Sequence, residues 1–491
     1  MMKRLLCKNN LFHTPLSIVT FRLFLLSTLL SALSVHSQNK DVLHFFEKDS
    51  TVAEQFITDL TAQHKLNLKE LKGKENKELK EYYEERFEYM NYLTESENVI
   101  FDQKIYPNLN RVLEDIKKAN PRYELSKVNR VLVGSSLAPN AVCYGNEVLV
   151  VYLGLLNLCE NESQIAFLIA HELSHQLLDH VDNSLKAKIA HGKSLEILLK
   201  NKEYEKANDY EQNSMYNSYK NDFTFKVKEE SRKSESEADS LGYVLLENTG
   251  YNKNEAIRLL RILETSDQEK YKIALPLDSL FSGTNKEFNA DWLKTKEGLN
   301  VKQEFDKELI DSLKTHPDCD FRIAKLIEDF SISAEDTVST LDEVGYLNTI
   351  DFDVIISDLT AKRYARALKN ALLQKQLNPA NKELNKIIAI CIGNIYLATK
   401  DHTIFDFVPK PADRFNYNYH QILLLIENIR LSELGDLFEA YYRDNEIAIL
   451  QSNKDEHSHY LAYLKAAISQ TGEEEKLKEE YQSKFPKGNY F

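Results

Sequence analysis

From Asp41 to about Lys118, apolar residues recur at steps of three and four, around a highly charged stretch from Lys65 to Arg86. That period lines one face of a helix, and Asn120-Pro121 predicts where the helical stretch stops. Between Ser126 and Tyr152 the period shortens. Val128 to Val133 and Glu147 to Tyr152 are rich in β-branched residues and bounded by Gly134 and Gly145-Asn146. They predict two strands, with room for a short third at Ala141 to Tyr144. Helical periodicity returns at Asn161, a capping residue with Gln164 three positions on, and Ile165, Leu168, Ile169 and Leu173 give the apolar face. A charged segment runs from Lys186 to Lys233, followed by a helix from about Ser234 to Glu247 and by shorter helical pieces between Asn252 and Thr315. From about Ser331 the chain reads as helical to its end.

The first 37 residues differ from the rest. They carry Lys3, Arg4, Lys8 and Arg22 and no acid, then an apolar run from Leu23 to Val35, then His36 and Ser37. This pattern predicts a secretory signal peptide cleaved after Ser37. The run is short of the ~20 residues that span a bilayer. No later run reaches ~18 apolar residues, so no transmembrane helix is expected in the mature chain. The expected location is outside the cytoplasm, with the periplasm favoured over secretion or an N-terminal membrane tether.

Composition sharpens this picture. The 491 residues include 14 glycines and 10 prolines; glycine is thus about 3 %, where ~7 % is typical. So few turn-formers favour long helices over a many-stranded sheet. The net charge is −14, and losing the four cations of the first 37 residues takes it to −18. Such a surface repels a phosphate backbone, so nucleic acid is excluded as a partner. Four cysteines follow the signal segment, Cys143, Cys159, Cys319 and Cys391, with no CxxC pair. An exported chain permits disulfides among them in three pairings, and buried free thiols are the alternative.

The chemistry concentrates in His171-Glu172-Leu173-Ser174-His175, inside the capped helix. Imidazoles at i and i+4 project from one face a turn apart, which lets both reach one zinc ion. Glu172 stands beside the first, where its carboxylate can take a proton from an attacking water. A zinc site of this kind needs a third protein ligand. Glu235-Ser236-Glu237-Ala238-Asp239 supplies a candidate in Glu235, with Asp239 one turn on as an acceptor that orients a histidine. His180 and Glu237 are expected to lie off the ligand face, as surface residues.

The two motifs together resemble the zinc metallopeptidases of family forty-eight, the gluzincin family that includes HtpX and the CAAX prenyl proteases. Asn140-Ala141 ahead of Glu147 to Leu156 resembles the family's edge strand and hairpin. Thr315-His316-Pro317 with Arg322-Ile323 resembles its late His-Pro loop, so the likeness spans about Ser126 to Leu326. It implies an endopeptidase with one Zn2+ per chain, binding an extended protein or peptide substrate along Asn140, Ala141, Val142, Cys143 and Tyr144. It also implies that His316 lies near the metal, as a transition-state donor or a latency plug, and that Arg322 stabilises an oxyanion or anchors that loop. Tyr364, Ala367 and Leu368 before Asn378-Pro379, and Tyr460 to Phe485, resemble pieces of tetratricopeptide repeats. An irregular helical bundle is the alternative.

The expected fold is mainly α with one small β-sheet, an α+β zincin-type domain followed by an α-helical tetratricopeptide-like region. Its expected divisions are 1–37 signal peptide, 38–125 N-terminal helices, 126–330 metallopeptidase domain and 331–491 degenerate repeats. The expected function is hydrolysis of unfolded or mis-assembled envelope proteins, with an envelope assembly partner engaging the repeats. The competing expectation is a repeat-based chaperone or scaffold with a latent or structural zinc site.

Overall fold

The computed structural model describes residues 50–187, 231–295, 319–332 and 346–491, with short interruptions inside these spans. The expected signal peptide, His316 and most of the 186–233 segment lie outside the described residues.

The N-terminal part forms α1 (Ser50–Glu70), α2 (Lys77–Glu95), a two-residue strand β1 (Val99–Ile100) and α3 (Ile105–Ala119). The helical pattern read across this region is thus interrupted by a strand too short to leave a periodic signal. In α3, Ile105, Leu109, Val112, Leu113 and Ile116 are buried at helical spacing. The helix ends at Asn120, whose Nδ2 donates to the carbonyls of Ile116 and Leu245 at 2.9 and 2.7 Å.

Strands β2 (Arg130–Gly134), β3 (Ala141–Cys143) and β4 (Val148–Tyr152) join β1 in one sheet of order β1-β2-β4-β3. β2 and β4 are parallel, with Val131 opposite Leu149, whereas β1 and β3 run antiparallel at the edges. The near-continuous apolar runs of β2 and β4 are those of strands covered on both faces. Val131, Val133, Leu149 and Val151 enter the core shared with α3 and the helices around the candidate site. Leu132, Val148 and Val150 point the other way, against Ala53, Phe56, Leu60, Met90 and Leu93 of α1 and α2. The N-terminal helices therefore have a plain physical task, roofing the far face of the sheet.

Beyond β4 come the short α4 (Leu153–Leu156), α5 (Glu162–Leu177), α6 over 231–246, α7 (Glu255–Glu264) and α8 (Cys319–Phe330). Asn161 caps α5, its side chain accepting from the Gln164 backbone N–H at 2.9 Å. Gln164 reaches back to the Glu160 N–H rather than to that of Asn161. Both side-chain amides also donate to Glu255 at the start of α7. Gly154 of α4 leaves room for the chain before β3; a Cβ there would stand 2.2 Å from the Leu137 carbonyl oxygen.

The C-terminal part contains α9 (Leu347–Thr360), α10 (Tyr364–Leu377), α11 (Glu383–Lys400), α12 (Ile404–Phe407), α13 (Tyr417–Asn428), α14 (Leu431–Gln451), α15 (Glu456–Ser469) and α16 (Glu474–Lys484). α11 is apolar on nearly every side and is enclosed by α10, α14 and α15. A helix apolar all round is the centre of a bundle, whereas in a repeat stack each unit touches only its neighbours. The tetratricopeptide likeness therefore rests on sequence fragments, and the packing is that of a bundle about α11.

The two parts share their cores. Tyr346, Ile350 and Val354, beyond residue 331, are buried with the sheet and α5. Leu277, Leu280, Phe281 and Trp292, before residue 331, are buried with α10, α11 and α13. Cys143, Cys159, Cys319 and Cys391 are buried free thiols, so these four form no disulfides. No helix among the described residues is long and apolar enough to cross a membrane.

Candidate metal centre

α5 presents His171 and His175 one turn apart, their rings 4.7 Å between centroids and their Nε2 atoms 3.1 Å apart. α6 crosses α5 and delivers Glu235, with Oε2 3.6 Å from His171 Nε2 and Oε1 3.4 Å from His175 Nε2. Ligands held ~2.0–2.1 Å from a tetrahedral metal lie about 3.3 Å from one another. The three donors therefore have the separations that one such ion imposes, and two imidazoles with a carboxylate suit a borderline-soft divalent metal. All three side chains are largely removed from solvent, and His171 is 3 % exposed.

Gly242 allows the crossing. A Cβ at this position would lie 3.0 Å from the His171 backbone nitrogen and 3.2 Å from its Cα. The same approach places Asp239 Oδ1 2.9 Å from His171 Nδ1, on the ring edge away from Nε2. A carboxylate accepting there fixes the tautomer that leaves Nε2 free to bind metal.

Asp239 is fully buried and is held by Arg322 of α8. The guanidinium donates through Nε at 2.6 Å and Nη2 at 2.7 Å to the two carboxylate oxygens, and Nη1 stands 3.0 Å from Glu235 Oε2. Burial alone raises the Asp239 pKa, but Arg322 and the His171 hydrogen bond outweigh it and hold the carboxyl down to about 2. Burial lowers the proton affinity of Arg322 and the two carboxylates more than restore it, so its charge is retained. For His171, burial dominates and lowers the pKa against the pull of Asp239. For His175, burial also lowers it, but the Glu235 hydrogen bond and the charges of Glu172 and Glu235 prevail, and the net shift is upward.

Residues 106–329 match the model of peptidase family M48. Over this region the chain is similar to peptidase family M48. No curated protein compared with the chain gives a match. The match supports a metallopeptidase, and the His171–His175–Glu235 group lies inside the matched region.

The remaining expected site residues distribute around this centre. Glu172 is 3 % exposed between the two histidine turns and close enough for its charge to act on His175. Ala141, Val142 and Cys143 form β3 at the sheet edge, with the Cys143 thiol 3.4 Å from Gln176 Oε1 in the last turn of α5. The Asn140 carbonyl accepts from the Tyr152 backbone N–H at 3.1 Å, which extends that pairing. Tyr144 and His316 lie outside the described residues.

One expectation needs correction. His180 is not a free surface residue; its ring is 5.1 Å from that of His175, and its side chain is 10 % exposed. Glu237 lies at the surface and off the ligand face as expected, and its Oε2 is 3.2 Å from His180 Nε2. α5 stops at Leu177, and Asp179 takes a left-handed conformation at φ 54°, which sets His180 outside the period of α5. Asp is among the few non-glycine residues that tolerate this geometry, and that was the available signal.

Proposed function

We propose that this protein is an exported zinc-dependent endopeptidase that hydrolyses peptide bonds in unfolded or mis-assembled envelope proteins. The convergence of His171, His175 and Glu235 at ligand separations carries the reading. Those three residues hold the zinc, which when bound supplies Lewis-acid polarisation to the scissile carbonyl and the attacking water. Glu172 accepts the proton of that water and returns it to the departing amine. Asp239 keeps the His171 ring oriented, and Arg322 fixes Asp239 and Glu235 rather than facing the substrate. An extended substrate adds along β3 at the edge of the sheet, where main-chain pairing asks little of its side chains. That tolerance suits unfolded clients, and the signal-like first 37 residues support export to the periplasm. The helical bundle after residue 346 provides the surface for clients or an assembly partner.

Glu172→Gln in the exported chain tests the chemistry. The variant is expected to retain stoichiometric zinc and to lose at least ~10²-fold in the hydrolysis rate of an unfolded protein. Cleavage at the wild-type rate would defeat the role given to Glu172. Mass spectrometry of the exported protein is expected to find an N-terminus at Gln38, and an intact Met1 would defeat the signal-peptide assignment.

A further inference from the structure

We propose that His180 and Glu237 form a second support of the metal centre, positioning His175 as Asp239 positions His171. The inference rests on the metal-binding reading of His171, His175 and Glu235.

His175 turns Nε2 toward His171 and Glu235, while its Nδ1 faces His180 Nδ1 at 3.0 Å. His180 in turn brings Nε2 to within 3.2 Å of Glu237 Oε2. Only one proton arrangement satisfies all three groups when His175 Nε2 is a metal ligand. Nε2 must then be bare, so Nδ1 of His175 carries the proton and donates to His180 Nδ1. His180 Nδ1 is consequently an acceptor, its own proton sits on Nε2, and that N–H donates to the Glu237 carboxylate. The chain Glu237–His180–His175 thus fixes a tautomer and a ring plane without His180 touching the metal.

The two supports differ in setting. Asp239 and Arg322 are buried, whereas Glu237 is 45 % exposed at its side chain and shares the solvent edge of α6 with Lys233, 3.6 Å away. His180 itself is carried on the turn made by Asp179, outside the helical period of α5. One histidine is therefore anchored in the core and the other from the rim. His180 and Glu237 are positioning residues, since neither belongs to the donor group.

The test uses the full mature chain and measures zinc affinity by competition with a chromophoric chelator, alongside the absorption spectrum of the cobalt-substituted protein. Removing such outer hydrogen-bond partners costs ~10–100-fold in metal affinity. His180→Leu, which lacks an acceptor, is expected to weaken zinc binding at least ~10-fold and to shift the cobalt spectrum. His180→Asn can place an amide oxygen near the Nδ1 position and is expected to recover most of that loss. Glu237→Ala is expected to give a smaller loss in the same direction. Wild-type affinity in His180→Leu, or equal losses in His180→Leu and His180→Asn, would overturn the proposal. If His180→Leu fails to fold, the rim variant decides, and unchanged zinc affinity and cobalt spectrum in Glu237→Ala would overturn it. A wild-type chain that binds no zinc would instead defeat the metal reading on which the inference stands.

Discussion

Gly242 sets the distance between the two helices that carry the metal donors. Its missing side chain lets α6 lie against the backbone of α5 at His171. Gly242→Ala is expected to push the helices apart by a few tenths of an ångström, to cost about 1–3 kcal/mol of stability and to weaken zinc binding. Calorimetry of the metal-free protein and a zinc competition assay measure the two effects separately; unchanged values in both would remove Gly242 from the site. Arg322 makes an equally local prediction. Its loss leaves the buried Asp239 carboxylate with the His171 hydrogen bond but without its countercharge, so Arg322→Gln should destabilise the metal-free protein by about 3–5 kcal/mol. An oxyanion role would instead leave metal-free stability intact and remove activity alone. The cysteines are also settled residue by residue. All four are buried, and burial pushes the Cys159 thiol up to about 12. Alkylating reagents are expected to label Cys143, Cys159, Cys319 and Cys391 only after unfolding, and rapid labelling of the native protein would contradict that placement.

At the scale of elements, legibility followed periodicity. α5 was readable because a cap, an apolar face and two histidines at i and i+4 all report the same geometry. β2 and β4 were readable as apolar runs, although the two layers that bury them lie in separate parts of the chain. β1 was missed because two residues carry no period, and His180 because a left-handed residue broke one. The C-terminal hairpins carry a pH response of their own. His457 of α15 is buried with Nδ1 2.6 Å from the Tyr490 hydroxyl, and burial lowers its pKa to about 4. The folded state therefore resists a proton that the unfolded chain accepts near its ordinary value of ~6.5. This contribution is complete above about pH 6.5, declines as pH falls and is lost below about pH 4, up to roughly 3 kcal/mol. Urea midpoints between pH 7 and 4 should fall more steeply for wild type than for His457→Gln. Parallel slopes would contradict it.

Across the whole molecule, residues on either side of position 331 exchange places in the two cores. Tyr346, Ile350 and Val354 complete the core beneath the sheet, while Leu277, Phe281 and Trp292 enter the C-terminal bundle. Ser357 also donates to the Ser135 carbonyl at 2.9 Å, and Asn418 is held by the backbone of Ile273 and Leu275. A chain ending at Phe330 therefore exposes apolar surface on the metallopeptidase side and is expected to aggregate. The chain should unfold in one cooperative transition by calorimetry. A soluble, folded 38–330 fragment, or two well-separated transitions, would show the two parts to be independent.

The amino-acid sequence by itself determined the elements whose spacing is local: the capped α5 with its paired histidines, the two central strands and the helical character of the rest. It also proposed Glu235 and Asp239, because i and i+4 on a helix share a face whatever surrounds it. Tertiary structure decided what those faces meet. Sixty residues separate His175 from Glu235, and only the crossing of α5 and α6 at Gly242 sets their donors 3.4 Å apart. The same crossing joins Glu237 to His180, and α8 brings Arg322 to Asp239 on α6. These contacts depend on how separate helices pack and on the left-handed residue at Asp179, which no periodicity within any one segment records.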